Sequence, residues 1–291
     1  MKKGLNIFIL FIILLMTSVV VDAKTAEEWF YEGVNLVQSG NHEEALQAFD
    51  NALEIDSNDA NVWNFKGIAL SSLKRYDEAL QAFDNALIIN PGDVNIWINK
   101  GSALSDSKRY DEALDFYDKA IEINPQKSGA WYSKGITLDN LGRYEEALIA
   151  FDKALEIDPK DASTWNNKGF TLVYLGRYEE ALMAFDRALE VDPGKANTWI
   201  NKGTILEKLG RYEEAIISFD RALEADPENA DVWYKKGLIL NKLGRTEEGK
   251  KALDNSYELD PTLKMPKSSG FGFVIGIFMI FTSGSLLKRM N

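Results

Sequence analysis

From residue 26 to residue 263, small and apolar positions return with a helical period, and the whole pattern repeats every 34 residues. All seven tryptophans, Trp29, Trp63, Trp97, Trp131, Trp165, Trp199 and Trp233, keep that spacing. Counting each unit from three residues before its Trp gives units starting at 26, 60, 94, 128, 162, 196 and 230. Position 8 is then glycine in every unit, from Gly33 to Gly237, and position 11 is leucine, from Leu36 to Leu240. At about 100° per residue, positions 4, 8 and 11 share one helix face. In the first six units alanine holds positions 20 and 27, and an aromatic holds position 24 (Phe49, Phe83, Tyr117, Phe151, Phe185, Phe219). These line the face of a second helix. The small residues at positions 8 and 20 let the two helices approach, while the large ones at 4 and 24 fill the space that remains. The pattern predicts seven helical hairpins.

The element ends are written into the same period. Gly-Arg-Tyr or Lys-Arg-Tyr marks the turn in units two to six, and the acidic pair at positions 18 and 19, such as Glu145-Glu146, suits the positive end of the second helix. A proline at position 32, from Pro91 to Pro261, closes every unit but the first. One hairpin cannot bury both its faces, so stability must come from stacking neighbours. The end units deviate as caps do. His42 and Ser57 replace Tyr and Pro in the first; Thr246, Gly249, Leu253 and Ser256 replace Tyr, Ala, Phe and Ala in the last. A weakened second helix over 247–259 is expected.

Trp, Gly, Ala, aromatic, Ala and Pro over 34 residues resembles the tetratricopeptide repeat family, with the resemblance covering 26–263. It implies an all-α, right-handed α-solenoid of helix-turn-helix repeats whose first helices line a concave surface that binds extended peptides or partner helices.

If positions 4, 8 and 11 face the core, positions 2, 5, 6, 9, 12 and 13 line that groove. The candidate binding residues are Asn64, Ile98, Asn99, Tyr132, Asn166, Asn167, Phe170, Ile200, Asn201 and Tyr234. Asparagine amides can pair with a peptide backbone, and aromatic and aliphatic side chains offer apolar anchors. Cochaperones of the family grip a C-terminal carboxylate with lysines and arginines on this face. Here position 5 carries no lysine and Lys235 stands alone at position 6, so that clamp is missing. A lysine row at position 7, from Lys66 to Lys236, falls between the buried and exposed faces, where methylenes can lie on the core and ammonium groups can pair with acidic neighbours.

Charge narrows the partners. Six of the 33 Lys and Arg lie outside 24–263, as does Asp22 alone of the 45 acidic residues; this stretch therefore holds 27 basic and 44 acidic residues, net −17. Such a field repels nucleic acid, leaving other proteins as the expected partners. With no cysteine, thiol chemistry and disulfides are excluded. His42 is the only histidine, and the paired carboxylates recur in every unit as features of the repeat. Neither a phosphate-binding glycine loop nor a spaced metal-ligand pair is present, so no enzyme activity, cofactor or metal is expected.

The ends are apolar. Residues 1–23 combine Lys2-Lys3, an apolar run from Leu5 to Val21, and Val21-Asp22-Ala23, which reads as a signal peptide cut after Ala23 or as an uncleaved anchor. After a 264–270 spacer, 271–287 is uncharged and long enough for a transmembrane helix, and Lys288-Arg289 follows. Both basic clusters face the cytoplasm under the positive-inside rule, which places the repeats outside the cell membrane or on the cell surface. The tail, opening at Ser269-Gly270-Phe271, also resembles the sorting tails that archaeosortases process on archaeal surface proteins. That family has proline where this chain has Ser269. Processing would leave a lipid anchor in place of the helix. The function expected is a tethered scaffold for protein–protein interaction, or else a self-associating or surface-layer-associated array without a specific peptide ligand.

Overall fold

The computed structural model describes residues 24–264, and all of the regular structure in that stretch is helical. First and second helices alternate: α1 (Ala26–Gln38), α2 (His42–Ile55), α3 (Ala60–Ser72), α4 (Tyr76–Ile89), α5 (Val94–Asp106), α6 (Tyr110–Ile123) and α7 (Ser128–Asn140). The order continues through α8 (Tyr144–Ile157), α9 (Ala162–Tyr174), α10 (Tyr178–Val191), α11 (Ala196–Lys208), α12 (Tyr212–Ala225), α13 (Ala230–Lys242) and α14 (Thr246–Leu259). A short 3₁₀ turn, Pro261–Lys264, follows. The fold is an all-α solenoid of tetratricopeptide-type hairpins. The signal-peptide and tail segments proposed from sequence lie outside the described residues. Among the described residues, no helix is long and apolar enough to cross a membrane.

Two compact bodies divide at Lys108/Arg109, the turn between α5 and α6. In the first, α1 pairs with α2 and α3 with α4; in the second, the pairs are α7/α8, α9/α10, α11/α12 and α13/α14.

Local chemistry sets the helix ends. At the first helix, Thr25 and Glu28 form a reciprocal capping box, and the side chains of Asp59, Asp93, Asp161 and Asn229 cap their helices by accepting backbone N–H bonds. Each hairpin turn needs a residue with positive φ. Gly142, Gly176, Gly210 and Gly244 supply it at 73–76°, whereas Lys74 and Lys108 adopt 61° and 66°. The turn arginine then closes on the first helical turn, as when Arg143 Nε and Nη2 donate to Glu146 at 2.7 and 2.6 Å. The arginine–glutamate bond holds Glu146, Glu180 and Glu214 below the usual carboxylate range.

Inside hairpins one, two and four to six the phenylalanine at position 24 lies on the backbone of the glycine at position 8. A Cβ added at Gly169 would stand 2.5 Å from the Phe185 ring, and one at Gly67 would stand 2.6 Å from Phe83. Phe49, Phe83, Tyr117, Phe151, Phe185 and Phe219 are all buried. The core face differs from the one drawn through positions 4, 8 and 11. Positions 3 and 10 are buried, through Val62, Ile96, Thr164 and Val232 and through Ala69, Ala103, Thr171 and Ile239, while each Trp is half-buried. The reason is the indole N–H. It donates to the carbonyl six residues earlier, for example Trp97 Nε1 to Pro91 O at 2.9 Å and Trp165 Nε1 to Pro159 O at 2.9 Å, so the ring edge stays at the loop joining the repeats. In the last repeat, α14 runs its full 14 residues but buries only Gly249, Ala252 and Ser256, where the other second helices bury a phenylalanine or, in α6, Tyr117.

Neighbouring repeats are tied by ion pairs and by side-chain hydrogen bonds. The lysine at position 7 pairs with the aspartate at position 25 of the preceding repeat: Lys66–Asp50, Lys168–Asp152, Lys202–Asp186 and Lys236–Asp220 at 2.5 Å, with Lys100–Asp84 and Lys134–Asp118 in the same arrangement. Several of these ammonium groups also sit over the tryptophan of their own repeat, at 5.2 Å for Lys66 and 5.1 Å for Lys236. The row is therefore structural glue. Between α7 and α9 the Thr171 hydroxyl donates to the Asp139 carboxylate, with oxygen separations of 2.8 and 3.0 Å. Burial pushes the Asp139 carboxyl up to about 7, with the Thr171 bond pulling the other way, and burial raises Asp106 as well.

Two outcomes follow. Gly169→Ala should lower the stability of the full chain by about 1–3 kcal/mol because the Phe185 ring must move. Gly129→Ala, where an added Cβ meets nothing within 4 Å, should leave it unchanged or gain up to about 1 kcal/mol. Equal melting of both variants would contradict this packing. For Asp139, the unfolded group titrates near 3.9, so between about pH 4 and 7 the native state holds the extra proton. That stabilisation is complete below about pH 4 and is lost as pH rises through 7. The melting temperature should fall as pH rises from about 4 to 7, and Asp139→Asn should remove part of the fall. Superimposable pH profiles for variant and parent would count against it. The lowered glutamates act below this window.

Candidate binding groove

The groove positions fall on the first helices, beside the core face, and each body presents its own stretch. In the first body, Asn64 is buried at 8% exposure, and its Oδ1 accepts from Asn99 Nδ2 at 3.0 Å. Ile98 and Asn99 are half-buried. In the second body, Asn167 Nδ2 donates to the Tyr132 hydroxyl at 3.0 Å, and Asn166 Oδ1 accepts from Thr198 Oγ1 at 3.2 Å and from Asn201 Nδ2 at 3.4 Å. A ladder results in which position 6 of one repeat donates to position 5 of the repeat before it.

This ladder limits the chemistry that the asparagines can offer. Each amide has two N–H donors and a carbonyl with two lone pairs, and one donor of Asn99, Asn167 and Asn201 is committed to a neighbour. One further donor and a carbonyl remain on each. The apolar candidates are likewise part wall and part surface. Phe170 packs edge-on against Phe185 at 5.8 Å, Tyr132 lies 6.2 Å from Phe151, and Tyr234 lies 6.4 Å from Tyr257. Ile200 is half-buried, and Leu238 at position 9 of the last repeat is 41% exposed.

The far side of the groove, at positions 12 and 13, carries features that the ten candidates miss. The Tyr174 ring stacks on Tyr144 with centroids 5.0 Å apart and planes 4° from parallel, next to the Asp139 carboxyl. Burial, helped by Tyr144 and Asp139, raises the Tyr174 phenol. In the following repeats the same place is taken by lysine: Lys208 over Tyr178 at 4.5 Å and Lys242 over Tyr212 at 5.2 Å. One signal was available in the sequence, since position 12 reads Val37, Ser71, Ser105, Asp139, Val173, Glu207 and Asn241. Charge breaks into that row only at Asp139 and Glu207. Lys235 donates to Thr204 Oγ1 at 3.1 Å. Among the described residues, no group of three or more His, Asp or Glu is placed to hold a metal ion.

Comparison with known proteins agrees with this architecture. Family models described as tetratricopeptide repeat match residues 30–94, 94–127, 128–161, 160–228 and 218–251. No curated protein matches the chain. Among solved structures, the chain is similar to YrrB, described as a tetratricopeptide protein with an unusual peptide-binding site, at 29% identity and TM-score 0.54, over 62% of this chain and 94% of that one. It is also similar to PilF of Pseudomonas aeruginosa (19% identity, TM-score 0.60, 69% and 92% covered). A third likeness is to the C-terminal part of a repeat-containing protein of Cytophaga hutchinsonii (17%, 0.66, 81% and 96%). The last two show the fold alone. With its 34-residue period, its paired helices and these matches, the chain belongs to the tetratricopeptide repeat family, a solenoid scaffold suited to protein–protein interaction.

Proposed function

We propose that the chain is a membrane-tethered scaffold, held outside the cell membrane, that binds a peptide segment or helix of another protein along its first helices. The observation that carries the binding reading is the largely half-buried row of amides, rings and aliphatic side chains at positions 5, 6 and 9, uncharged except at Lys235 in a chain that is otherwise strongly acidic. Asn99, Asn167 and Asn201 each keep a donor and a carbonyl for a guest backbone, and the exposed parts of Tyr234 and Leu238 supply apolar contact. The peptide-binding site described for YrrB supports the same reading by analogy. A right-handed superhelix, the family's habit, would make this row concave. Catalysis, a cofactor and nucleic-acid binding form no part of the proposal, and proteins of this fold are typically non-enzymatic scaffolds.

Export and tethering rest on the sequence of the two ends. A signal segment over 1–23 and a transmembrane or lipid-exchanged sorting tail over 271–287 would hold the array close to the membrane. Intact mass of the protein recovered from its native membrane tests this. A chain beginning at Lys24 and ending near Ser269 with a lipid adduct indicates a processed surface protein, one from Lys24 to Asn291 a membrane helix, and recovery only from the soluble fraction would sink the tether.

A second reading, association of the arrays with one another, draws on a specific feature of the second body. Ile149, Met183 and Ile217 occupy the same position of α8, α10 and α12 and are 62%, 68% and 59% exposed. In the remaining repeats Gln47, Gln81, Asp115 or Lys251 stands there. A photo-crosslinking residue at Leu238 should trap a different protein in cells, whereas one at Met183 should not. Adducts that consist only of a second copy of this chain, from either position, would favour the self-associating reading.

A further inference from the structure

Resting on the groove reading above, we infer that the second body holds an anchor for one cationic side chain, an arginine or lysine of the bound peptide, formed by Asp139 and the Tyr144–Tyr174 stack. The argument begins with the repeats themselves, which act as internal controls for one another. In the fifth and sixth hairpins the tyrosine that opens the second helix lies beneath a lysine from the next first helix: Tyr178 under Lys208 and Tyr212 under Lys242. The face of that tyrosine is thus a place where this fold accepts an ammonium group. At Tyr144 the chain supplies a ring instead. Tyr174 stacks on it and widens the aromatic platform, and Tyr174 is itself 39% exposed.

Beside this platform stands a carboxylate that the neighbouring hairpins do not provide in the same form. The residue equivalent to Asp139 is Val173 before Lys208 and Glu207 before Lys242, so the Asp139 position alone combines an acid with an aromatic in place of the lysine. Elsewhere in this body the lysine at position 7 pairs with the aspartate at position 25 and the turn arginine with its glutamate, as Lys168 does with Asp152 and Arg177 with Glu180. Among the described residues, Asp139 instead receives the neutral Thr171 hydroxyl and no cation. A half-buried carboxylate bonded to one hydroxyl and interacting with Tyr174 is poorly solvated, and an incoming guanidinium or ammonium would restore the charged form while lying on the exposed tyrosine face. The wider surface favours the same class of guest, since residues 24–263 carry 44 acidic against 27 basic residues.

Panning the full-length chain in detergent against a random library of peptides about ten residues long tests the anchor. Arginine and lysine should be enriched at least about threefold at one position of the recovered binders, relative to the input. That enrichment should vanish with Asp139→Asn and persist with Asp115→Asn, which removes the same charge from an exposed site on the second helix α6. The asparagine amide can still take the Thr171 bond, and melting no lower than that of the parent would show that the variant is folded. Binders recovered without cationic enrichment, or an enrichment that both variants lose or both keep, overturn the anchor and leave the groove standing. Recovery of no binders at all overturns both.

Discussion

Hairpins one, two and four to six depend on the contact between a glycine without a side chain and a phenylalanine ring sixteen residues later. With the Phe185 ring lying where a Cβ on Gly169 would project, the two helices come as close as backbone and ring allow. The remaining large side chains are placed by that distance. Positions 3, 10 and 11 complete the wall of the core, the alanines at 20 and 27 let the next hairpin approach, and the tryptophan is displaced to the edge, where its N–H closes the loop. Stacking then follows because a single hairpin leaves its other face bare.

Electrostatics works on top of this packing. Lysines at position 7 bridge to the preceding repeat, and turn arginines close on the start of the second helix; each such exposed pair contributes little by itself, about 0–1 kcal/mol. Their regularity matters more than their strength. They pair the lysines of position 7 and the turn arginines, and the chain keeps an acidic excess beyond them. Against that background the candidate groove is a strip uncharged except at Lys235 and tied by amide-to-amide and amide-to-phenol bonds, with the half-buried carboxylates of Asp139 and Glu207 at its far side. The same hydrogen bonds that hold consecutive first helices in register also fix the rotamers of the side chains that a guest would meet.

The fold was legible because its determinants recur with unchanged identity. Gly at position 8, the aromatic at position 24 and the closing proline each appear six or seven times, and a period of that kind specifies a repeat unit before any local prediction is made. Positions 3 and 10 were hidden by the opposite property. Val, Ile, Ala and Thr all serve there, since any side chain of modest size fills the space, and no single residue type marks the column. Groove residues were legible as positions and illegible as interactions. Helical geometry puts Asn64, Asn99, Asn166, Asn167 and Asn201 on the right helices, but it cannot reveal that their amides bond across repeats, because that depends on how far one hairpin is offset from the next.

By itself, then, the sequence determined the helical class, the length of the unit, the pairing of helices, the acidic field and the absence of thiol chemistry, since these follow from periodicity and composition. Tertiary structure decided which polar groups are committed and which remain available. Lys134 and Asp139 are both charged residues on one first helix, yet one is paired with Asp118 and the other accepts from Thr171 and interacts with Tyr174, its carboxyl raised by burial. The physical reason is that pairing and desolvation are set by neighbours in space, which the stacking of hairpins creates and the order of residues along one helix does not contain.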